Sequence, residues 1–124
     1  MNIIIDTHIF LWLLVTPDKI GRANLKLLEN VSNTLFLSSV SIAELMIKSS
    51  IGKLNIDFNP KEMAVKSGCE LLDFTSDDAL LLKDMPFHHK DPFDRMLIAQ
   101  ANSNDYYIMS NDLKFKNYNC RLIL

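Results

Sequence analysis

Asp6, Glu44, Asp94 and Asp112 are the residues of this chain whose type and placement could do chemistry together. Each sits just after a strand-like apolar run or in the opening of a helix. Carboxylates repel, and two of them about 4 Å apart cost roughly 4 kcal/mol at an effective dielectric near 20. A chain that gathers four needs a compensating charge, and a hard divalent cation held by oxygen donors supplies it.

Each acid also has a structural explanation. Ser41-x-x-Glu44 has the form of a capping box, with Ser41 opening the helix. Asp91-Pro92-Phe93-Asp94 reads as a capped, proline-started helix with an acid in its first turn. Asp6 and Asp112 could each cap the helical turn next to them in the chain. The neighbouring Thr7 and Ser110 hydroxyls could orient an acid or a phosphate oxygen, or cap the next turn. Arg95 could contact phosphate, neutralise Asp91, or be solvated.

The elements that must position these residues alternate along the chain. Strands are expected at Asn2 to Ile5, Thr34 to Leu37, Glu70 to Phe74, Tyr106 to Met109 and Cys120 to Leu124. Helices are expected at Thr7 to Val15, Asp18 to Val31, Ser41 to about Gly52, Asn59-Pro60 to Gly68, Ser76 to Asp84, Asp91-Pro92 to about Asn104, and Asp112 to Asn117. This order specifies an α/β domain with a mainly parallel, roughly five-stranded sheet between two helical layers. Strands that are nearly all apolar fit a sheet covered on both faces. Crossover helices run antiparallel to the strands, so helix N-termini and strand C-termini share one edge. Asp6, Glu44, Asp94 and Asp112 all belong to that edge, where open α/β sheets bind ligands. Asp18, Asp57 and Glu70 do not.

The 124 residues fit a single domain, 1–124, and a 48% hydrophobic share is ample for its core. The net charge of −2 announces no global basic field, so a polyanion would need a local patch. Asp6, Thr7 and His8 interrupt the apolar N-terminus, which falls short of the roughly 18–20 residues needed to span a bilayer. No signal peptide is visible, and Cys69 and Cys120 lack metal or redox spacing, so both are expected as reduced core residues of a cytoplasmic protein. His88 and His89 are adjacent and His8 is distant, a pattern that favours surface or structural roles over a zinc site.

The motifs together resemble the PIN-domain family, and within it the single-domain VapC-like proteins of prokaryotes. The opening Ile3-Ile4-Ile5-Asp6-Thr7-His8 with Phe10 to Leu14 is similar to the family's start. Ser38 to Leu54, with Ser41-x-x-Glu44, Lys48 and Gly52-Lys53-Leu54, resembles its second motif. His89-x-Asp91-Pro92-Phe93-Asp94-Arg95 followed by Leu97 to Ala101 is the most specific match. Ser110-x-Asp112 with Phe115 and Tyr118 resembles the closing motif, with Ser110 where the family usually has threonine.

The resemblance implies a three-layer α/β/α fold and a ribonuclease dependent on Mg²⁺ or Mn²⁺, with Asp6, Glu44, Asp94 and Asp112 as the acidic site. It also implies a toxin role, with a small antitoxin as partner. In such a site two or three acids would bind the metal directly and the rest through water, and Asp94 or Asp112 could serve as general base. Lys48, Lys53, Lys90, Arg95, Lys114 and Lys116 lie near the acids in sequence and are candidate RNA contacts. The helix at Ile9 to Val15 is apolar all round. On the helix from Ser41, Ile42, Leu45 and Met46 form one stripe while Ile47 and Ile51 lie nearer Glu44. Such surplus is either core or the seam of a homodimer or toxin–antitoxin assembly. Two other functions compete. A phosphotransfer domain would want a second aspartate where His8 stands, or a paired acid beside the first strand. A non-catalytic module could bind RNA or protein on the same fold without cleaving.

Overall fold

Ile3, Ile4 and Ile5 are all fully buried, which only a strand covered on both faces allows. In the computed structural model, which describes residues 1–88 and 90–124, they form the central strand of a five-stranded parallel sheet. The strands are β1 (Asn2–Ile5), β2 (Thr34–Ser38), β3 (Cys69–Leu72), β4 (Tyr107–Met109) and β5 (Arg121–Ile123), paired in the order β3-β2-β1-β4-β5. The helices are α1 (Thr7–Val15), α2 (Arg22–Glu29), α3 (Ser39–Ser50), α4 (Pro60–Lys66), α5 (Ser76–Leu80) and α6 (Pro92–Asn104).

Side chains alternate between two cores, as the period of a strand requires. Ile3, Ile5, Leu35, Leu37, Cys69 and Met109 pack with Ile9 and Phe10 of α1, Leu28 of α2, Leu45 of α3 and Ala64 of α4. Ile4, Phe36 and Ile108 pack on the other face with Leu97, Ile98 and Ala101 of α6, and with Val40, Phe115 and Tyr118. Phe10 and Phe115 anchor the two layers with no exposure, and truncating either to alanine should cost about 3–5 kcal/mol. The expected three-layer α/β/α sandwich is what the chain forms.

Boundaries shift where a local signal was outcompeted. The helix expected over Asp18 to Val31 divides at Gly21, whose φ of 88° suits glycine, leaving a 3₁₀ turn at Pro17–Ile20 before α2. Helix α3 starts at Ser39 and is capped by Ser38, whose hydroxyl accepts from the Val40 amide; Ser41 is therefore inside the helix. Glu44 accordingly lies in the second turn, and no capping box forms there. Strand β3 starts at Cys69 and stops before Phe74. Thr75 rather than Ser76 caps α5, in a reciprocal box with Asp78, and the helix ends at Leu80. Asp112 caps a 3₁₀ stretch, Leu113–Asn117. Asn59 caps α4 with Pro60 first, as its sequence predicts.

The chain steps from β1 to β2 to β3 on one side, then crosses back to place β4 on the other side of β1. The switch point is therefore the crevice beyond the C-terminal ends of β1 and β4.

Candidate active site

Asp6 and Ser110 are the first residues past β1 and β4, so the topology sets them on either side of that crevice. The Asp6 amide donates to the Met109 carbonyl at 3.0 Å, continuing the β1–β4 ladder by one step. The Asp6 side chain caps α1, accepting from the Ile9 amide at 2.8 Å, and also hydrogen-bonds the Ser110 hydroxyl. Capping and site roles are thus compatible at Asp6. It is only 4% exposed. Burial raises its pKa above the ordinary value, the Glu44 charge adds to the rise, and the Ser110 and Ile9 hydrogen bonds and His8 oppose it.

Ser110 is fully buried and faces both acids of its crevice: it hydrogen-bonds Asp6 and accepts from the Asp112 amide at 3.1 Å. Asp112 in turn caps its 3₁₀ stretch, accepting from the Lys114 amide at 2.9 Å. The serine in place of the family's threonine keeps the hydroxyl in use.

Glu44 reaches the same edge from α3 and is 3% exposed. Thr7 Oγ1 donates to its Oε1 at 2.6 Å, and a 2.9 Å hydrogen bond joins the Thr7 and Ser41 hydroxyls. Lys48, one turn further along α3, donates to Glu44 Oε2 at 2.5 Å. Both oxygens of this buried carboxylate therefore have donors. The Glu44–Lys48 pair has an i, i+4 spacing legible in the sequence. The Thr7–Ser41–Glu44 chain links residues 34 and 37 positions apart, and no local signal announces it.

Asp94 enters in the first turn of α6, behind the N-cap Asp91, which accepts from the Phe93 amide at 2.9 Å. Its pKa is pushed up to about 7, first by burial and then by the charges of Asp91, Glu44, Asp6 and Asp112, in that order. Asp94 therefore lies within the field of each of the other three predicted acids. Asp91 joins them as a further negative neighbour. Among the described residues, no three Asp, Glu, His or Cys side chains are drawn into a ready-made ligand cage.

Arg95 points elsewhere. Its guanidinium donates to the Pro86 carbonyl at 2.8 Å, reaches the Leu82 carbonyl and the Tyr118 hydroxyl at 3.4 Å each, and stacks over Phe87. Loop carbonyls thus pair this half-buried guanidinium, which cannot stay without partners. His88 donates its backbone amide to the Tyr118 hydroxyl and packs edge-on against that ring, a structural role. His8 is exposed beside Asp6, and His89 lies outside the described residues. Of the basic candidates, Lys48 is ion-paired and Lys53 lines a hollow of ≈ 350 Å³ beside Glu44 with Thr7, His8, Leu11 and Leu54. Lys90, Lys114 and Lys116 are exposed. Cys69 and Cys120 are free thiols, and no helix among the described residues is long and apolar enough to cross a membrane.

The PIN domain family model matches residues 3–119, and the chain belongs to the PIN domain family. Its fold is similar to that of VapBC2 from Rickettsia felis, solved bound to a DNA fragment from their promoter, with TM-score 0.75, 21% identity, and coverage of 99% of this chain and 98% of that one. DNA-bound VapBC from Salmonella typhimurium aligns with TM-score 0.68, 18% identity, and coverage of 99% and 97%. The PIN domain endonuclease Utp24 aligns with TM-score 0.52, 17% identity, and coverage of 93% and 74%. No curated protein matches the chain in sequence.

Proposed function

We propose that this chain, as one PIN-like domain over residues 1–124, is a ribonuclease dependent on Mg²⁺ or Mn²⁺ and the toxin of a toxin–antitoxin pair. The observation that carries the reading is the coupling of Asp94 to Asp6, Glu44 and Asp112 at the switch point of a PIN fold. PIN-family membership and the likeness to VapBC structures support the nuclease and toxin parts.

The donor set fits a hard divalent cation: it is all carboxylate oxygen and partly desolvated, and burial together with neighbouring carboxylate charge raises the proton affinity of Asp6 and Asp94. Asp6, Glu44, Asp94 and Asp112 would hold the ion directly or through water. A bound Mg²⁺ or Mn²⁺ stabilises negative charge on a phosphate and lowers the pKa of water. Ser110 fixes the Asp6 carboxylate while receiving the Asp112 amide, so one hydroxyl sets the spacing of two acids. Thr7 fixes Glu44 in the same way. Asp94 sits among the other acids with its proton affinity raised by burial and by their charges, and with the cation bound it or Asp112 would be placed to take a proton from water.

The exposed Met46 and Ile47 of α3, with Ile51 at its C-cap, leave apolar surface near Glu44, which supports an antitoxin or a second copy as partner. Cytoplasmic residence goes with this reading. The test is incubation of the pure protein with a mixed RNA pool. Cleavage with Mg²⁺ or Mn²⁺ that stops in EDTA is expected; cleavage indifferent to EDTA, or RNA binding without cleavage in either metal, would remove the proposal.

A further inference from the structure

We infer that Lys48 is a built-in counter-cation of the acidic pocket, a positioning residue that occupies the Glu44 carboxylate and must withdraw before that carboxylate can take a divalent ion. The inference rests on the reading of this edge as a metal site. Three observations support it. First, Lys48 Nζ is 2.5 Å from Glu44 Oε2, while Thr7 holds Oε1, so no oxygen of Glu44 is without a donor. Second, the two partners differ in freedom. Glu44 is 3% exposed and locked, whereas the Lys48 side chain is 31% exposed and borders the hollow lined by His8, Leu11, Lys53 and Leu54. Third, the Lys48 backbone is pinned, because its carbonyl accepts from the amides of both Lys53 and Leu54. Only the side chain can move, and the hollow gives it somewhere to go.

The charge of Lys48 is also felt by Asp91 and Asp94, so it offsets more of the cluster than its direct partner. An ammonium suits the task better than a guanidinium would. It is a compact point charge on a flexible stem, and it lacks the planar fork that grips a carboxylate at two points. The device lets the fold carry a buried acidic cluster without metal while keeping the ligands in place for one.

The experiment is calorimetric titration of metal-stripped protein with Mn²⁺, together with thermal unfolding in EDTA and in Mn²⁺. Lys48→Met keeps the aliphatic stem and removes the charge. Its Mn²⁺ affinity should rise on the order of tenfold, since a cation beside the ion is gone. Its Tm should fall in EDTA and recover in Mn²⁺. Lys48→Gln should move both readouts the same way. If both variants fold only when Mn²⁺ is present, the inference stands; if neither folds with Mn²⁺, it falls. Unchanged or weaker Mn²⁺ binding by folded variants overturns it, as does a raised KM for RNA with unaltered metal affinity, which would make Lys48 a phosphate contact. If the wild type takes up no Mn²⁺, the metal-site reading fails and this inference with it. If the wild type binds Mn²⁺ and the variants do not differ, only this inference fails.

Discussion

At the N-terminal edge of the sheet, a hollow of ≈ 690 Å³ opens between α1, α2 and the starts of β2 and β3, with Asp18 and Glu29 among its lining residues. At the C-terminal edge, the hollow beside Glu44 is about half that size, ≈ 350 Å³. The larger space holds only exposed acids, which water can solvate. The smaller one is lined by Glu44, which water barely reaches and whose charge raises the proton affinity of Asp6 and Asp94. The difference follows from direction. Helix N-termini point to the C-terminal edge and favour carboxylates there, whereas the opposite edge receives helix C-termini. Volume alone would select the N-terminal edge; charge held where it is poorly solvated selects the other.

Exchanging acids on the two edges is the strongest way to break this contrast. Asp6→Asn or Asp94→Asn should lower metal-dependent RNA cleavage by at least about 100-fold, beyond what removal of an outer-shell partner does. Tm in EDTA should stay level or rise, because repulsion is relieved. Glu29→Gln on the opposite edge should leave cleavage unchanged and shift stability by no more than about 0.5 kcal/mol. Equal losses at both edges would erase the distinction.

Thr7→Val comes next. It keeps the shape and removes the donor to Glu44 Oε1, so the buried carboxylate loses a charge-assisted bond worth about 1.5–3 kcal/mol. Urea denaturation should register that loss, and the Mn²⁺ concentration needed for half-maximal cleavage should rise about 10- to 100-fold.

A pH series sharpens the contrast further. The Asp94 pKa is about 7 when folded against the ordinary 3.8, so between those values the folded state binds a proton that the unfolded chain has released. Stability in EDTA should therefore fall as pH rises from 3.8 to about 7 on account of this group. The slope should shrink in Asp94→Asn and persist in Glu29→Gln. The smallest effect belongs to Lys53→Ala. It should weaken RNA binding modestly and reduce the salt slope by about one, measured by fluorescence anisotropy.

Much of this was legible in the sequence. Apolar runs at Ile3 to Ile5 and Leu35 to Leu37, alternating with capped helices, fix a parallel sheet and with it the shared edge of the four acids. Local competition was not legible. Three serines at 38, 39 and 41 each could cap α3, and the end of β2 decided for Ser38. That moved Glu44 from a capping position to an inward-facing one in the second turn. The Thr7–Ser41–Glu44 bonds depend on how α1 and α3 pack, and the Arg95 contacts on how residues 82–88 fold back over α6. Neither leaves a periodic or spacing signature.

The proposed role of the C-terminal edge is to hold a divalent cation that neutralises its acidic cluster. Its most direct test is Mn²⁺ uptake by metal-stripped protein at neutral pH, comparing wild type, Asp94→Asn and Glu29→Gln. Saturable binding in wild type and Glu29→Gln, with affinity at least about tenfold weaker in Asp94→Asn, is the predicted result. Equal binding by all three proteins, or by none, would contradict it.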